Sequence, residues 1–462
     1  MRRRVAAGAL AAAALAAFVP PAAARVETPV PAAGPVLAGE RVVWATARAD
    51  GGVDVRSATG SADARVVQEV RPADAGEPPA SRLRPQLAAS PARIALVANP
   101  ATDSRSWDAR VIFTGPPVGP FGRVGGRCGL PGNYPDYPRP VDVDGDAIVY
   151  PACDEAGGLE VREFSPAPMT QRILAKGATG ARLAGRWVAW LEGGTVWDLD
   201  VFAGDLVVYD RLTMREAYRI PRAELGRGVH SLDLQDDGKV AFSFGVGRGH
   251  AVGWASPEAP SVHRIPLSER NVYEVRIGAG RIAFLGGRGV NLDVPLAEVG
   301  VSDLGGSVRV LASGAQDLIG PESFDFDGTR VAWYTLGCTD ATIETRGVDD
   351  AQLPYRARSG CALRLNPKPS RRPVLLSGRY VRLYVDCAGF ADRTCRARDL
   401  ILTSGGRVLA RSDRAERIDL TAAGRRAFRG RSKLHVRGTA LLTDAAGRRE
   451  RRTATFTVRR AS

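Results

Sequence analysis

Four histidines, His230, His250, His263 and His435, are the proton carriers and nitrogen ligands this chain could use near neutral pH. None sits in a His-Glu-x-x-His pair, and no Gly-x-Ser-x-Gly elbow offers a serine nucleophile. Each histidine reads first as a loop or turn residue. His230 precedes a strand-like run and His250 lies in the glycine-rich run Gly245–Gly253, so these two are kept as ligand-binding candidates. The cluster Asp142-x-Asp144-Gly-Asp146 invites a calcium test. A calcium loop of the EF-hand type needs glycine at its sixth position and glutamate at its twelfth. Counted from Asp142, those positions hold Ala147 and Cys153, and the match fails. Asp198, Asp200 and Asp205 read as turn residues, and Gly245-x-Gly247-x-Gly249 has no helix behind it to make a phosphate loop. Glycoside hydrolysis needs two carboxylates placed about 5–10 Å apart. Turn aspartates are too numerous here to single out a pair. No metal site and no cofactor is expected.

Long structured loops on rigid scaffolds often carry function. Pro116–Pro140 is such a stretch, rich in glycine and proline, and its Tyr134 and Tyr137 are the other two ligand-binding candidates. The insert between Cys338 and Cys361 is a second candidate loop. The six cysteines cluster as Cys128 with Cys153, Cys338 with Cys361, and Cys387 with Cys395. Each pair would close a loop of roughly 10–25 residues, worth on the order of 3 kcal/mol in the chain-entropy picture. Zinc is disfavoured because no Cys-x-x-Cys occurs and the histidines lie far off in sequence.

Positioning these loops falls to a repeat. A turn, often Asp-Gly, is followed by a polar residue and then an apolar–small–aromatic run. It recurs at Val42, Ile94, Ile148, Val188, Val240, Ile282 and Val331, spaced by 52, 54, 40, 52, 42 and 49 residues. That period is close to the ~40–50 residues of a four-stranded propeller blade. Alternating runs fill each unit, among them Val141–Asp144, Leu232–Leu234 and Phe324–Phe326 before the turn, with Ala362–Leu365 and Val374–Leu376 in the last unit. One sheet cannot hide both its faces, whereas seven around an axis cover one another and leave only short edges. The marker aromatics Trp44, Tyr150, Trp190, Phe242, Phe284 and Trp333 are expected as core between blades. Blade 2 is the weakest copy, with Pro91 and Leu96 where the turn glycine and aromatic should stand.

Asp236-Asp-Gly-Lys-Val-Ala-Phe242 and Asp327-Gly-Thr-Arg-Val-Ala-Trp333 resemble the repeat of TolB-type, WD-repeat-like bacterial β-propellers, and the likeness extends over residues 36–376. It implies an exported binding scaffold. It implies no catalytic residues, because the shared positions are structural.

Past Gly378 the repeat stops, and about seven short strand-like runs suggest a small β-sandwich over 378–462, loosely similar to immunoglobulin-like modules. The chain's net charge of +14 is uneven. Asn366–Ser462 holds 24 basic and 8 acidic residues, while Val5–Leu365 holds 37 and 42, so a mildly acidic body carries a basic tail. At the other end, Arg2–Arg4, an apolar alanine-rich run to Val19 and Ala22–Ala24 read as a signal peptide over 1–24.

The sequence thus predicts a secreted or envelope-associated bacterial monomer, all-β, with a seven-bladed propeller and a basic β-sandwich. Its expected role is non-enzymatic recognition of a protein or glycan at the propeller loops and funnel, with the basic module on an anionic wall polymer or lipid surface. Nucleic acid is not expected, since no recognition motif supports it. The alternative is a carbohydrate-active enzyme, a polysaccharide lyase or glycoside hydrolase, with its site in the funnel.

Overall fold

The computed structural model describes residues 24–460 except 63, 80, 101–111, 125–140, 155–157, 168, 198–200, 247–248, 268–269, 289–295, 316–318, 337–340, 354–364, 368–372, 377–378, 384, 387–395, 414–416 and 444–448. Residues 1–23, and with them nearly all of the expected signal peptide, lie outside that set, as do Tyr134, Tyr137 and every cysteine but Cys153.

Alternation of apolar and polar residues, punctuated by glycine turns, produces seven antiparallel four-stranded blades. Their inner strands are Pro31–Ala38, Leu83–Ala89, Asp142–Asp144, Ala178–Ala184, Val229–Leu234, Arg270–Gly278 and Ile319–Phe326. Every marker residue lies on the second strand of its blade, and the turn before it uses a left-handed glycine in most copies, such as Gly145 at φ 54° and Gly328 at φ 93°. Blade 2 lacks that glycine and substitutes a side chain. Ser90 Oγ accepts the Ala92 and Arg93 N–H groups at 3.2 and 3.1 Å and so closes the turn around Pro91.

The apolar side chains gather at the seams between blades. One cluster joins blades 1 and 2, and further clusters follow at each successive seam round to blades 7 and 1. Trp44, Phe242, Phe284 and Trp333 have no exposed surface, and Tyr150 and Trp190 are buried with them, as core residues between blades must be.

The ring is closed by the first described strand. Ala24–Thr28 pairs along its whole length with Ala341–Gly347 and becomes the outer strand of blade 7. Its Ala24, Val26 and Thr28 are buried, and Thr28 Oγ1 accepts the Trp44 indole N–H of blade 1 at 2.8 Å. Val374–Leu376, expected from sequence as the closing run of the last unit, pairs instead with Tyr380–Arg382 and Arg449–Arg460 of the C-terminal module. Leu365 likewise packs in that module's core. The physical reason is that blade 7 has already received its fourth strand from the N-terminal side.

The C-terminal residues form a β-sheet module. The sequence predicts two facing sheets; among the described residues, seven strands pair in one closed order around a core of Leu400, Leu402, Val436, Leu442, Phe456 and Val458. Its helix Ala422–Phe428 is capped by Thr421, whose hydroxyl accepts the Gly424 N–H at 3.0 Å.

Closure by Ala24–Thr28 makes a prediction. Val26→Asp places a charge in the last seam and should lower the unfolding free energy by about 2–4 kcal/mol. Glu27→Gln, on the exposed side of the same strand, should leave it unchanged. Urea denaturation of the two variants beside the parent checks this.

Candidate functional site

The innermost strands carry a ring of charge that follows from register. Val36, Ala88, Asp142, Arg182, Asp233, Arg276 and Asp325 occupy the same position in the seven blades, each opposite a small residue or a valine of the second strand. Blades 3, 5 and 7 contribute acids there and blades 4 and 6 contribute arginines. Each acid reaches one blade forward. Asp142 Oδ2 accepts the Leu183 N–H at 2.9 Å, Asp233 Oδ2 the Ile277 N–H at 2.7 Å, and Asp325 Oδ2 the Leu37 N–H at 2.7 Å, the last across the point of ring closure. Arg182 continues the pattern from blade 4, donating from Nε to the Leu232 carbonyl of blade 5 at 2.8 Å. Arg276 of blade 6 lies 3.6 Å from Asp325 of blade 7.

Such carboxylates satisfy backbone donors that no strand partner reaches, through charge-assisted bonds. Burial dominates at Asp233 and pushes its pKa up to about 6, an effect to which Asp142 adds and which Arg276 and Arg182 oppose. Second rungs repeat the device toward the turns. Gln235 Oε1 accepts the Gly280 N–H at 3.0 Å, and Ser90 Oγ donates to the Gly145 carbonyl at 2.7 Å.

A different group of side chains lies at one mouth of the ring, where blades 5 and 6 meet. His230 stands at the start of the inner strand of blade 5 and His250 at the start of its third strand, Gly249–Ser256. The hairpin between them pairs Gly245 with His250. Twenty residues apart in sequence, the two imidazoles end with their centroids 3.8 Å apart at 46°. Tyr273, on the inner strand of blade 6, meets His250 edge-on at 6.0 Å. The His250 N–H donates to Asn271 Oδ1 at 2.8 Å, while its ring Nδ1 is buried without a hydrogen-bond partner.

Burial, then the neighbouring His250, pushes the His230 pKa down to about 3, and burial lowers that of His250. Both rings are therefore neutral at pH 7. Gly245 is required beside them, because a Cβ there would come within 2.9 Å of the Arg227 Cβ and 3.7 Å of His230 Nε2. Blade 4 contributes a wall. Its second and third strands, Trp187–Trp197 and Val201–Asp210, run past the sheet, and Phe202 pairs with Val229 next to His230.

Of the four ligand-binding candidates read from sequence, the structure thus brings His230 and His250 together, and Tyr134 and Tyr137 fall outside the described residues. Of the cysteines, only the backbone of Cys153, at the end of Ala147–Cys153, is described. The remaining histidines stand apart. His263 stacks on Trp254 at 4.5 Å, and His435 Nδ1 bonds Thr457 Oγ1 at 2.9 Å in the C-terminal module. Sequence reasoning missed Tyr273, Asn271 and the axial charges. The axial set had a signal, an Asp or Arg six residues before most markers and seven in blade 5.

No protein-family model matches the chain, and no curated protein matches it. Solved structures do. TolB from Acinetobacter baumannii is similar at 15% identity, over 68% of this chain and 80% of that one, with a TM-score of 0.38. The β-propeller domain of the trilobed protease from Pyrococcus furiosus is similar at 10% identity, over 68% and 94%, with a TM-score of 0.43. A prolyl endopeptidase structure is similar at 12% identity, over 91% and 55%, with a TM-score of 0.47. The likeness is one of fold: this chain is a seven-bladed β-propeller with a C-terminal β-sheet module.

The Asp233 pKa has a sign that can be tested. It lies above the ordinary 3.8, so between about pH 4 and 6 the folded state holds more protons than the unfolded one. Stability should fall as pH rises through that window, by about 1–3 kcal/mol, and level off above it. Asp233→Asn keeps an acceptor for the Ile277 N–H and removes the titration. Its denaturation midpoint should vary less between pH 4 and 7 than that of the parent.

Proposed function

We propose that the protein is an exported, non-enzymatic binding scaffold. The mouth at blades 5 and 6 receives a protein or glycan ligand, and the basic module holds the chain against an anionic cell envelope. The observation that carries this reading is the axial ring. The funnel carboxylates that a hydrolase or lyase would draw on, Asp142, Asp233 and Asp325, are each bonded to the backbone of the next blade. A carboxylate tied to a buried N–H is held in one place against the backbone and is poorly free to attack a substrate.

The histidine pair supports the same reading. A base whose conjugate acid titrates near 3 is a weak proton acceptor at neutral pH. Two neutral imidazoles beside a tyrosine offer instead donors, acceptors and flat apolar faces, the surface on which sugar rings and peptide side chains settle. The blade 4 strand Val201–Asp210 borders that surface where Phe202 pairs with Val229.

The test is a panel of peptides and glycans presented to the full chain, with product detection on every member. Retention of one class without product is expected, and His250→Ala should weaken it at least about tenfold, the effect of losing a central contact. The melting temperature should hold within a few degrees. Turnover of any polysaccharide would overturn the proposal, as would retention that His250→Ala and His230→Ala leave intact.

A further inference from the structure

The C-terminal module carries a face whose cations meet no ion-pair partner among the described residues. Its long hairpin, Lys433–Thr443 with Arg449–Arg460, is in full register. Leu434, Val436, Ala440, Leu442, Phe456 and Val458 point into the core. The alternate residues therefore face outward, Lys433, His435, Arg437 and Thr439 on one strand and Arg459, Thr457, Thr455 and Thr453 on the other. Lys433 stands directly opposite Arg459. Like charges in that position repel, and the sheet pays for them in stability unless an anion lies between.

Arg429 and Arg431 precede Lys433 in the chain and Arg460 follows Arg459; all are exposed. Among the described residues, none of Arg429, Arg431, Lys433, Arg437, Arg459 and Arg460 forms an ion pair. Three of the module's described acids are engaged elsewhere, Asp399 with Arg451, Asp419 with Arg417 and Glu450 with Arg452. Helix capping and strand pairing use the backbones of these residues and leave their charges outside.

Between the charges the face is hydroxylic. Thr439 and Thr453 share a hydrogen bond at 3.0 Å, Thr457 bonds His435, and Thr403 Oγ1 donates to the Arg437 carbonyl at 3.2 Å. No large apolar side chain is exposed on these two strands. A bilayer-inserting surface would present some. Outward residues two apart on a strand repeat at about 6.5–7 Å, so the face offers charge and hydroxyl groups in a straight, evenly stepped row.

We propose that this face binds a linear phosphodiester polymer of hydrated polyols, of the kind a cell wall contains, with Arg431, Lys433, Arg459 and Arg460 on its phosphates and the threonines on its hydroxyls. The proposal rests on the envelope reading above and names the partner within it. Poly(glycerol phosphate) is the polymer probe, and vesicles of equal parts phosphatidylglycerol and phosphatidylcholine are the lipid probe.

Affinity of the full chain for each is measured from about 50 to 300 mM NaCl, the range over which counterion release shows. Replacing Arg431, Lys433, Arg459 and Arg460 by glutamine should weaken polymer binding at least about tenfold and flatten the slope of log affinity against log salt by about 3, near 0.7–0.9 per lost phosphate contact. A control of equal charge, with Arg407, Arg411, Arg425 and Arg426 replaced by glutamine, removes exposed cations from the strand Arg407–Ser412 and the helix. It should bind the polymer within about threefold of the parent, since only non-local charge is lost.

Equal weakening by both variants would show binding by net charge and overturn the assigned face. Tighter binding to the vesicles than to the polymer would overturn the polymer and leave the envelope reading standing. Failure to bind either probe at the lowest salt would overturn both.

Discussion

The interaction on which this molecule depends is a carboxylate reaching across a seam. Asp142, Asp233 and Asp325 each accept a backbone N–H of the next blade, at Leu183, Ile277 and Leu37. A blade buries its faces only against neighbours, so the apolar seams favour stacking but do not fix how many sheets make a ring or how far each one slides. The inward acids fix the slide, because an unbonded N–H at the axis has no other partner. Alternating acids and arginines also keep the charge near the axis balanced, which limits the cost of burying it. At the last seam the same device is joined by the Ala24–Thr28 strand and by the Trp44 indole on Thr28.

That arrangement divides the protein into structural and free surface. The funnel acids hold blades together, while His230, His250 and Tyr273 stand at the mouth on strands already braced from behind by Ser231, whose hydroxyl accepts the Val275 N–H at 3.1 Å. Rigid strands therefore present the side chains, and the blade 4 strand Val201–Asp210 borders them at Phe202. In the C-terminal module the division is by strand face, with the core on one side and cations on the other.

The repeat was legible because its signal is local. A glycine turn followed by an apolar–small–aromatic strand can be read from six residues, and those aromatics are the seam core. Blade 2 stayed readable although Pro91 and Leu96 break the phrase, because the spacing carried it; the Ser90 turn that compensates could not be seen. Ring closure was not legible. Ala24-Arg-Val-Glu-Thr28 alternates, but five residues beside an apolar, alanine-rich run give no hint of a partner more than 300 positions away. That long-range pairing is also why Val374–Leu376 was read into the wrong sheet.

The site was half legible. His230 and His250 were visible as residues, yet their meeting depends on the register of one hairpin. Asp142 was visible as part of an acidic cluster, and its actual role needs the next blade in place.

Hydrogen exchange of single amides tests the bracing directly. The Leu37, Leu183 and Ile277 amides are bonded to side chains of another blade, so they can exchange only when a seam opens. The account predicts that all three share the slowest exchange class with the core amides of Val43, Val188 and Ile282 and lose protection together as denaturant is added. Fast exchange at these three, or release of each at its own denaturant concentration, would contradict it, since the blades would then open singly and the axial acids would not be what holds the ring.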